Sequence, residues 1–184
     1  AGVITMEFPH LMRLMNENQF DTIYHEHFSY LSFTTVEKIF LAHGLTIFDV
    51  EEIPTHGGSL RIYARHYEDA SKPVEKRVFQ LREGEEKAGF TCLRSYFSFT
   101  EKVKETKHRF LDFLIQAKRQ GCSIVGYGAP GKGNTLLNYC GVRTDFLDYV
   151  VDAAHKQGKF LPGTHIPIYH PDSIKETKPD YVVI

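Results

Sequence analysis

The chain has 184 residues, of which 42% are hydrophobic and 24% are charged, and its formal net charge is -1. This average composition excludes disordered, collagen-like and coiled-coil proteins, and the balanced charge excludes binding to nucleic acid through a basic surface. Because no apolar run reaches the roughly 18 residues of a membrane helix and the three cysteines lack C-x-x-C spacing, we expect a cytoplasmic protein with reduced thiols and no membrane partner.

The first region, residues 1–70, is acidic and rich in histidine. It contains ten acidic against four basic residues and six of the ten histidines. A strand is predicted over residues 2–7, and Pro9 is placed at the first position of a helix that ends near Asn18. The following residues, 20–30, fit neither the helical nor the strand period well.

A helix and a hairpin complete this region. The helix is predicted to start at a capping box formed by Thr34 and Glu37 and to end before Gly44. Residues 45–53 and 59–66 are rich in β-branched and aromatic side chains, with a glycine-containing connection between them. They predict two strands of a β-hairpin.

The middle region, residues 71–120, is predicted to be helical and holds twelve basic against seven acidic residues. Its apolar residues recur on helical faces, and we interpret its charges as solvated helix surface without chemistry. The apolar stripes are Val74, Val78 and Leu81, and Phe99, Val103, Phe110, Leu114 and Ala117.

The last region, residues 121–184, alternates strands with a helix. Strands are predicted over 123–128, 146–151 and 181–184, and a helix over 134–140. This order favours parallel, right-handed βαβ connections. The predicted fold class is therefore α/β, with a Rossmann-like parallel C-terminal domain preceded by a β-hairpin and helices.

A glycine loop, residues 126–131, joins the first of these strands to the helix. Gly126, Gly128 and Gly131 match the pattern G-x-G-x-x-G in the strand-to-helix context that dinucleotide sites require. Glycines let a phosphate approach the backbone, and the helix N-terminus offers N–H groups and a partial positive charge. Since Lys132 adds a full charge at the same place, we predict an anion site, and a diphosphate in particular.

Two observations limit this prediction. Gly133 stands where a P-loop needs a Ser or Thr hydroxyl, which disfavours nucleotide hydrolysis. Glycines also serve tight strand-to-helix turns in doubly wound domains that bind nothing, so a purely structural loop stays an alternative. Asp152 follows the second strand and fits the ribose-binding position of a dinucleotide site.

The histidine segment, residues 24–30, concentrates groups that can exchange protons. Its side chains include Tyr24, His25, Glu26 and His27. An imidazole titrates near neutral pH, which makes His27 the candidate base. If Tyr24, Glu26 and His27 are to cooperate, the backbone must leave β-structure, because a strand would place neighbours on opposite faces.

Alternatives remain for these histidines. A metal site lacks H-E-x-x-H spacing and nearby cysteines, and a purely structural role among aromatic residues stays open. His56, beside two glycines in the hairpin connection, is a second candidate for a polar site residue. His10 and His43 fall in predicted helices and are interpreted as structural or surface residues.

Three stretches of this chain resemble the S-adenosylmethionine-dependent sugar C-methyltransferases: residues 20–30, 54–61 and 126–135. The resemblance runs over essentially the whole chain in the same order. It implies an N-terminal zinc-binding domain, a central Rossmann-type methyltransferase domain and a C-terminal α/β domain. The implied reaction adds a methyl group to a ring carbon of a nucleotide-linked keto sugar, as in the 3-C-methyltransferases.

The resemblance also implies residue roles. His27 would remove the proton next to the ketone, with Tyr24 and Glu26 positioning it or holding the sugar. His56 is assigned to the substrate site. The loop that carries Gly126, Gly128, Gly131, Lys132 and Asn134 would lie by the diphosphate of the nucleotide sugar. No metal ligand is assigned within the chain.

Neither the methyl-donor motif nor the zinc cysteines of the family are present, so the resemblance predicts a C-terminal portion. S-adenosylmethionine and zinc would be bound by upstream domains of the same chain, and these 184 residues alone would neither bind the donor nor turn over. The expected parts are the end of the methyltransferase domain (1–20), the catalytic-motif segment (21–70), a helical linker (71–120) and the Rossmann-like domain (121–184).

Two further hypotheses belong to other classes. The chain would be a non-catalytic nucleotide-binding or interaction module if the histidine segment only packs against a partner. It would be a fragment of an NAD(P)-dependent oxidoreductase if the glycine loop and Asp152 hold a dinucleotide. Saturable binding of NADH would favour the oxidoreductase.

Overall fold

The computed structural model describes residues 2–153 and 155–184, which form two compact units. The N-terminal unit contains the residues up to Phe20 together with Glu26–Lys102, and the C-terminal unit contains Asp21–His25 together with Val103–Ile184. The histidine segment is thus divided, with its first two residues in the C-terminal unit. Of the helices that the described residues form, none is long and apolar enough to span a bilayer.

The N-terminal unit is built on a three-stranded antiparallel sheet. Its elements in chain order are β1 (Ile4–Pro9), α1 (Leu11–Asn16), α2 (Phe33–Ala42), β2 (Leu45–Ile53), a 3-10 turn (Thr55–Gly57), β3 (Ser59–His66) and α3 (Lys76–Lys87). The strands lie in the order β1-β3-β2, and α2 and α3 pack against β2. Their shared core is apolar and includes Phe33, Val36, Ile47, Leu60, Ile62 and Val78.

The C-terminal unit is a parallel α/β sheet. A 27-residue helix, α4 (Leu93–Arg119), leads to β4 (Ile124–Tyr127), α5 (Gly131–Cys140), β5 (Val150–Val151), β6 (Ile168–Tyr169), α6 (Ser173–Thr177) and β7 (Tyr181–Val183). The strands lie in the order β6-β5-β4-β7 and pair in parallel. The chain passes from β4 to β5 and β6 on one side of the sheet and then crosses back to β7 on the other side of β4. The strand order therefore reverses at β4, and the carboxyl end of a strand at such a point is where open α/β sheets bind ligands.

The structure confirms the α/β fold class, the hairpin and the parallel βαβ arrangement. Both strands of the hairpin have the predicted bounds. Gly44 follows α2 with a φ of 70°, as expected of a glycine just past a helix end. The stripe of Val78 and Leu81 is buried in the N-terminal unit, and that of Leu114 and Ala117 is buried in the C-terminal unit.

The predicted start of the first helix is wrong. Pro9 is the last residue of β1 and pairs with Ser59, and α1 begins only at Leu11. β1 lies at the edge of the sheet, and proline is tolerated at such positions because it has no N–H to leave unpaired. The helix ends at Asn16, and Asn18 has a left-handed φ of 56°.

The predicted capping box is also wrong. Ser32 is the N-cap of α2, and its hydroxyl accepts a hydrogen bond from the N–H of Thr35 at 3.1 Å. The N–H and hydroxyl of Thr34 instead donate to the carboxylate of Glu85 on α3. In a capping box, the Glu37 side chain would accept from the N–H of Thr34. In the structure, Glu85, which is distant in sequence, accepts from that N–H instead.

In the C-terminal unit the predicted bounds shift. α5 begins at Gly131 rather than at 134, and the strand predicted over 146–151 shortens to Val150–Val151. The prediction omitted β6, a strand of two residues that follows Pro167. A strand of this length has too few residues for a period of two to appear in the sequence.

Candidate functional site

The histidine segment has neither helical nor strand backbone and exposes most of its side chains. It is anchored on both sides, because Phe20 and Thr22 are buried before it and Ser32 and Phe33 are buried after it. The backbone here is not β-structure, which is the condition that cooperation of Tyr24, Glu26 and His27 would require. An exposed stretch with fixed ends can present polar groups to a ligand.

Two aromatic contacts order the side chains of this segment. The rings of Tyr24 and His25 have centroids 6.1 Å apart. His27 meets Tyr30 edge-on, with centroids 5.9 Å apart. Glu26 and His27 are exposed, so both a carboxylate and an imidazole are accessible to a substrate.

Tyr24 contacts the glycine loop inside the C-terminal unit. A Cβ placed on Gly131 would lie 3.7 Å from the Tyr24 ring, so the ring lies against the first residue of α5. The two sequence motifs are separated by about a hundred positions, and the fold brings one residue of each into contact. Tyr24 is therefore positioned beside the predicted diphosphate site.

The fold itself explains two of the three motif glycines. A Cβ on Gly126 would lie 2.8 Å from Cγ1 of Val150, so glycine is needed for β4 to pack beside β5. Gly128 has a φ of 98°, which favours glycine at the turn. Gly131 has helical backbone, and neither strain nor a close neighbour demands glycine there.

Asp152 is occupied within the fold. One of its carboxylate oxygens accepts a hydrogen bond from the N–H of Ala129 at 2.9 Å. Lys156 donates to the carbonyl of Ala129 at 2.7 Å, and its ammonium lies 3.6 Å from the same carboxylate. Asp152 and Lys156 thus fix the glycine loop, and this use of Asp152 weakens its assignment to a ribose.

The start of α5 carries the remaining predicted anion ligands. Pro130 is its N-cap and supplies no side-chain hydrogen bond, so the first-turn N–H groups lack the usual cap. Lys132 is partly exposed in this turn. Among the described residues, the side-chain oxygen of Asn134 is buried without a hydrogen-bond partner. This oxygen can therefore accept a hydrogen bond from a ligand.

The His56 loop, residues 54–58, connects β2 and β3. His56 is exposed and has a left-handed φ of 54°. The side-chain amide of Gln19 donates to the carbonyl of Gly57 at 2.9 Å. His56 could be predicted from the sequence, but Gln19 could not. The signal for a neighbour at this loop is the glycine pair, which indicates close approach of another group.

His10 is buried, which agrees with its interpretation as a structural residue, but it precedes α1 and does not lie within a helix. It is 1% exposed, and among the described residues neither of its ring nitrogens has a hydrogen-bond partner. Its Nδ1 lies 3.6 Å from a carboxylate oxygen of Glu52. Burial lowers the pKa of His10, against the opposing charges of Glu52 and Glu85, so the imidazole is neutral at neutral pH.

Across residues 2–153 and 155–184, no group of three or more His, Cys, Asp and Glu side chains could hold a metal ion. The histidine segment therefore does not fit the metal site that the sequence left open. Zinc, which the resemblance implies for the family, has no ligand set among these residues.

Comparison with known proteins identifies the family. Residues 54–184 match the family model described as the C-methyltransferase C-terminal domain. The chain is 35% identical over 184 residues to "C-methyltransferase NovU" of Streptomyces niveus; the match covers 100% of this chain and 44% of that protein. The chain thus spans less than half the length of this relative. With a family model that covers most of its length, the chain belongs to the C-methyltransferase family.

Proposed function

We propose that the protein is an S-adenosylmethionine-dependent methyltransferase that adds a methyl group to carbon in a nucleotide-linked keto sugar. The observation that supports it most is the anchored, exposed histidine segment in a chain of this family. A carbon acid needs an accessible base, and His27 is an exposed imidazole with a carboxylate beside it in the chain.

The proposed reaction begins with proton removal. His27 takes the proton from the carbon next to the sugar ketone, and the C–H electron pair forms the enolate. The enolate carbon then bonds to the methyl group, whose bond to sulfur breaks. S-adenosylmethionine supplies that methyl group, and we assign no described residue to the donor.

Neighbouring residues orient this step. Glu26 follows His25 in a turn and is exposed, so its carboxylate is available to hold the sugar or the protonated imidazole. The Tyr24 ring lies against Gly131, which suits contact with the part of the substrate near the diphosphate. His56 is the further substrate residue that we assign from the N-terminal unit.

The glycine loop is proposed to hold the diphosphate. Of its groups, the N–H of Ala129 already donates to Asp152, so the anion would meet the first turn of α5 instead. Gly131 allows close approach, Lys132 supplies charge, and the unpartnered oxygen of Asn134 suits a hydroxyl donor of the same ligand. Gly126 and Gly128 act by shaping the turn.

An exchange experiment tests the base directly. The full-length protein is incubated in D2O with nucleotide-linked keto sugars, and NMR follows exchange of the proton next to the ketone. His27→Asn should lower the exchange rate by about 10²- to 10⁴-fold, which is the range of general-base catalysis. Binding of the nucleotide sugar should remain.

His43→Asn is the control, since His43 is an exposed histidine at the end of α2 to which no role in the reaction is assigned. It should exchange at the wild-type rate. If His27→Asn exchanges as fast as the wild type, the assignment of the base is wrong. If no keto sugar exchanges or accepts a methyl group with the wild-type protein, the proposed substrate class is wrong.

A further inference from the structure

The His56 loop holds an unfavourable backbone conformation. Three successive residues have positive φ: 54° at His56, 93° at Gly57 and 124° at Gly58. Glycine tolerates such angles, whereas a residue with a Cβ adopts them at a cost in free energy. Contacts from outside the loop that favour this conformation at His56 are therefore of interest.

The loop is held from the side of α1. The N–H of His10 donates to the carbonyl of Gly58 at 3.0 Å, and the amide of Gln19 donates to the carbonyl of Gly57 at 2.9 Å. A Cβ on Gly57 would lie 2.9 Å from the Gln19 side chain, and a Cβ on Gly58 would lie 2.9 Å from Cδ of Arg13. The two glycines are thus needed for this close contact.

Gln19 is itself fixed. Its backbone N–H donates to the carbonyl of Leu14 at 2.8 Å, at the end of α1. Its side chain also donates to Glu17, whose carboxylate accepts from Arg13 at 3.1 Å. The Gln19 side chain is thus restrained by two hydrogen bonds, to Gly57 and to Glu17, and its backbone is restrained by a third, to Leu14.

Gln19 also stands at the entrance to the histidine segment. It immediately precedes the 3-10 turn Phe20–Thr22, in which Phe20 and Thr22 are buried. One residue therefore joins the start of the stretch that carries His27 to the loop that carries His56. Both histidines belong to the N-terminal unit.

We infer that Gln19 is a positioning residue that holds His56 in place as a hydrogen-bonding group of the sugar site. The inference rests on the proposed function for its chemistry and on the Gln19–Gly57 contact for its geometry. Without the amide donor the loop relaxes from its left-handed conformation, and the His56 imidazole moves. A displacement of about 1 Å can cost up to about 10²-fold in rate.

The test uses Gln19→Met in the full-length protein. Methionine keeps the length and packing of the side chain and removes the amide donor. The value of kcat/KM for methyl transfer to the keto sugar should fall about 10- to 100-fold. In parallel, NMR of the histidine rings, assigned with His56→Asn, should show shifted His56 signals. The ring signals of His43, which is exposed at the end of α2, should stay unchanged.

A double-mutant cycle tests the contact itself. Gly57→Ala should disturb the His56 signals strongly, because its Cβ meets Gln19. In the variant with both Gln19→Ala and Gly57→Ala that collision is removed, so the combined loss of kcat/KM should be smaller than the product of the two single losses. Gly141→Ala is the control for backbone strain alone, since Gly141 has a φ of 76° and no neighbour within 4 Å of an added Cβ.

Unchanged His56 signals in Gln19→Met would overturn the inference. Shifted signals with an unchanged kcat/KM would overturn it as well, because His56 would then lie outside the sugar site. If the wild-type protein transfers no methyl group, the proposed function fails separately. The His56 spectrum would still decide whether Gln19 holds the loop.

Discussion

The two units bury different chemistry. Among the described residues, the buried polar or charged side chains of the N-terminal unit are His10, Ser32, Ser59, Arg65 and Glu85, whereas those of the C-terminal unit are Thr22 and Thr164. The N-terminal unit therefore places titratable groups in its interior. The interior of the C-terminal unit is almost wholly aliphatic and aromatic.

The difference follows from the backbone that each unit must satisfy. Glu85 accepts from the N–H groups of Phe33 and Thr34, which are the first two residues of α2. Arg65 donates to the carbonyls of His66, at the end of β3, and of Tyr67 and Lys72 in the irregular connection that follows. The first turn of a helix and irregular backbone lack regular internal partners for these groups, so buried side chains supply them. A parallel sheet with flanking helices pairs most of its backbone internally.

If charged anchors hold the irregular parts of the N-terminal unit, Glu85→Gln should have the largest effect. Glu85 is 0% exposed, and the new amide would turn an N–H donor toward backbone N–H groups. We expect the free energy of unfolding to fall by about 3 kcal/mol, measured by urea denaturation. Glu86→Gln, at an exposed neighbour on α3, should change it by less than about 0.5 kcal/mol. Equal effects of the two substitutions would show that the hydrogen bonds of the buried Glu85 carboxylate do not stabilise the fold.

If close packing alone shapes the glycine loop, Gly126→Ala and Gly131→Ala should differ. The first places a Cβ 2.8 Å from Val150 and should cost about 2 kcal/mol of unfolding free energy by overpacking. The second meets nothing nearer than 3.7 Å and should be neutral or stabilise α5 by up to about 1 kcal/mol.

Calorimetric titration with UDP and dTDP then distinguishes a glycine that only shapes the turn from one that lies in a ligand site. Weaker binding to Gly131→Ala at unchanged stability supports a diphosphate there, and unchanged affinity contradicts it.

The smallest effect is the pH dependence that His10 contributes. Burial lowers its pKa below the ordinary value of 6.5, so the unfolded chain binds this proton more readily than the folded one. The free energy of unfolding should therefore fall as the pH drops from 6.5 toward the folded pKa. Urea midpoints at several pH values should fall less steeply for His10→Asn than for the wild type. If the urea midpoints of the two proteins fall equally with pH, a group other than His10 causes the pH dependence of stability.

Much of the fold could be predicted from local sequence. β2 is rich in β-branched residues, β3 alternates apolar with polar residues over much of its length, and α3 and α4 carry apolar residues at helical spacing. The position of Pro9 was predicted wrongly and β6 was missed, because strand pairing and not local sequence determines the structure at both places. β3 extends β1 through Pro9, and β6 exists only by its pairing to β5.

The site divides in the same way. The residues proposed for the site, such as His27 and Lys132, could be selected from the sequence because their types are unusual in those positions. The contacts of Gln19 with Gly57 and of Glu85 with Phe33 could not be predicted, because they join residues 38 and 52 positions apart. The sequence does not indicate which distant backbone group a glutamine or a glutamate will bind.

The left-handed backbone of His56 limits how this position can be engineered. Asn and Asp also enter that conformation readily, whereas β-branched residues do not. In a saturation library at position 56, most substitutions would lose function through backbone strain and would report nothing about the imidazole. Asparagine is the informative replacement, because it keeps the turn and changes only the chemistry that the loop presents.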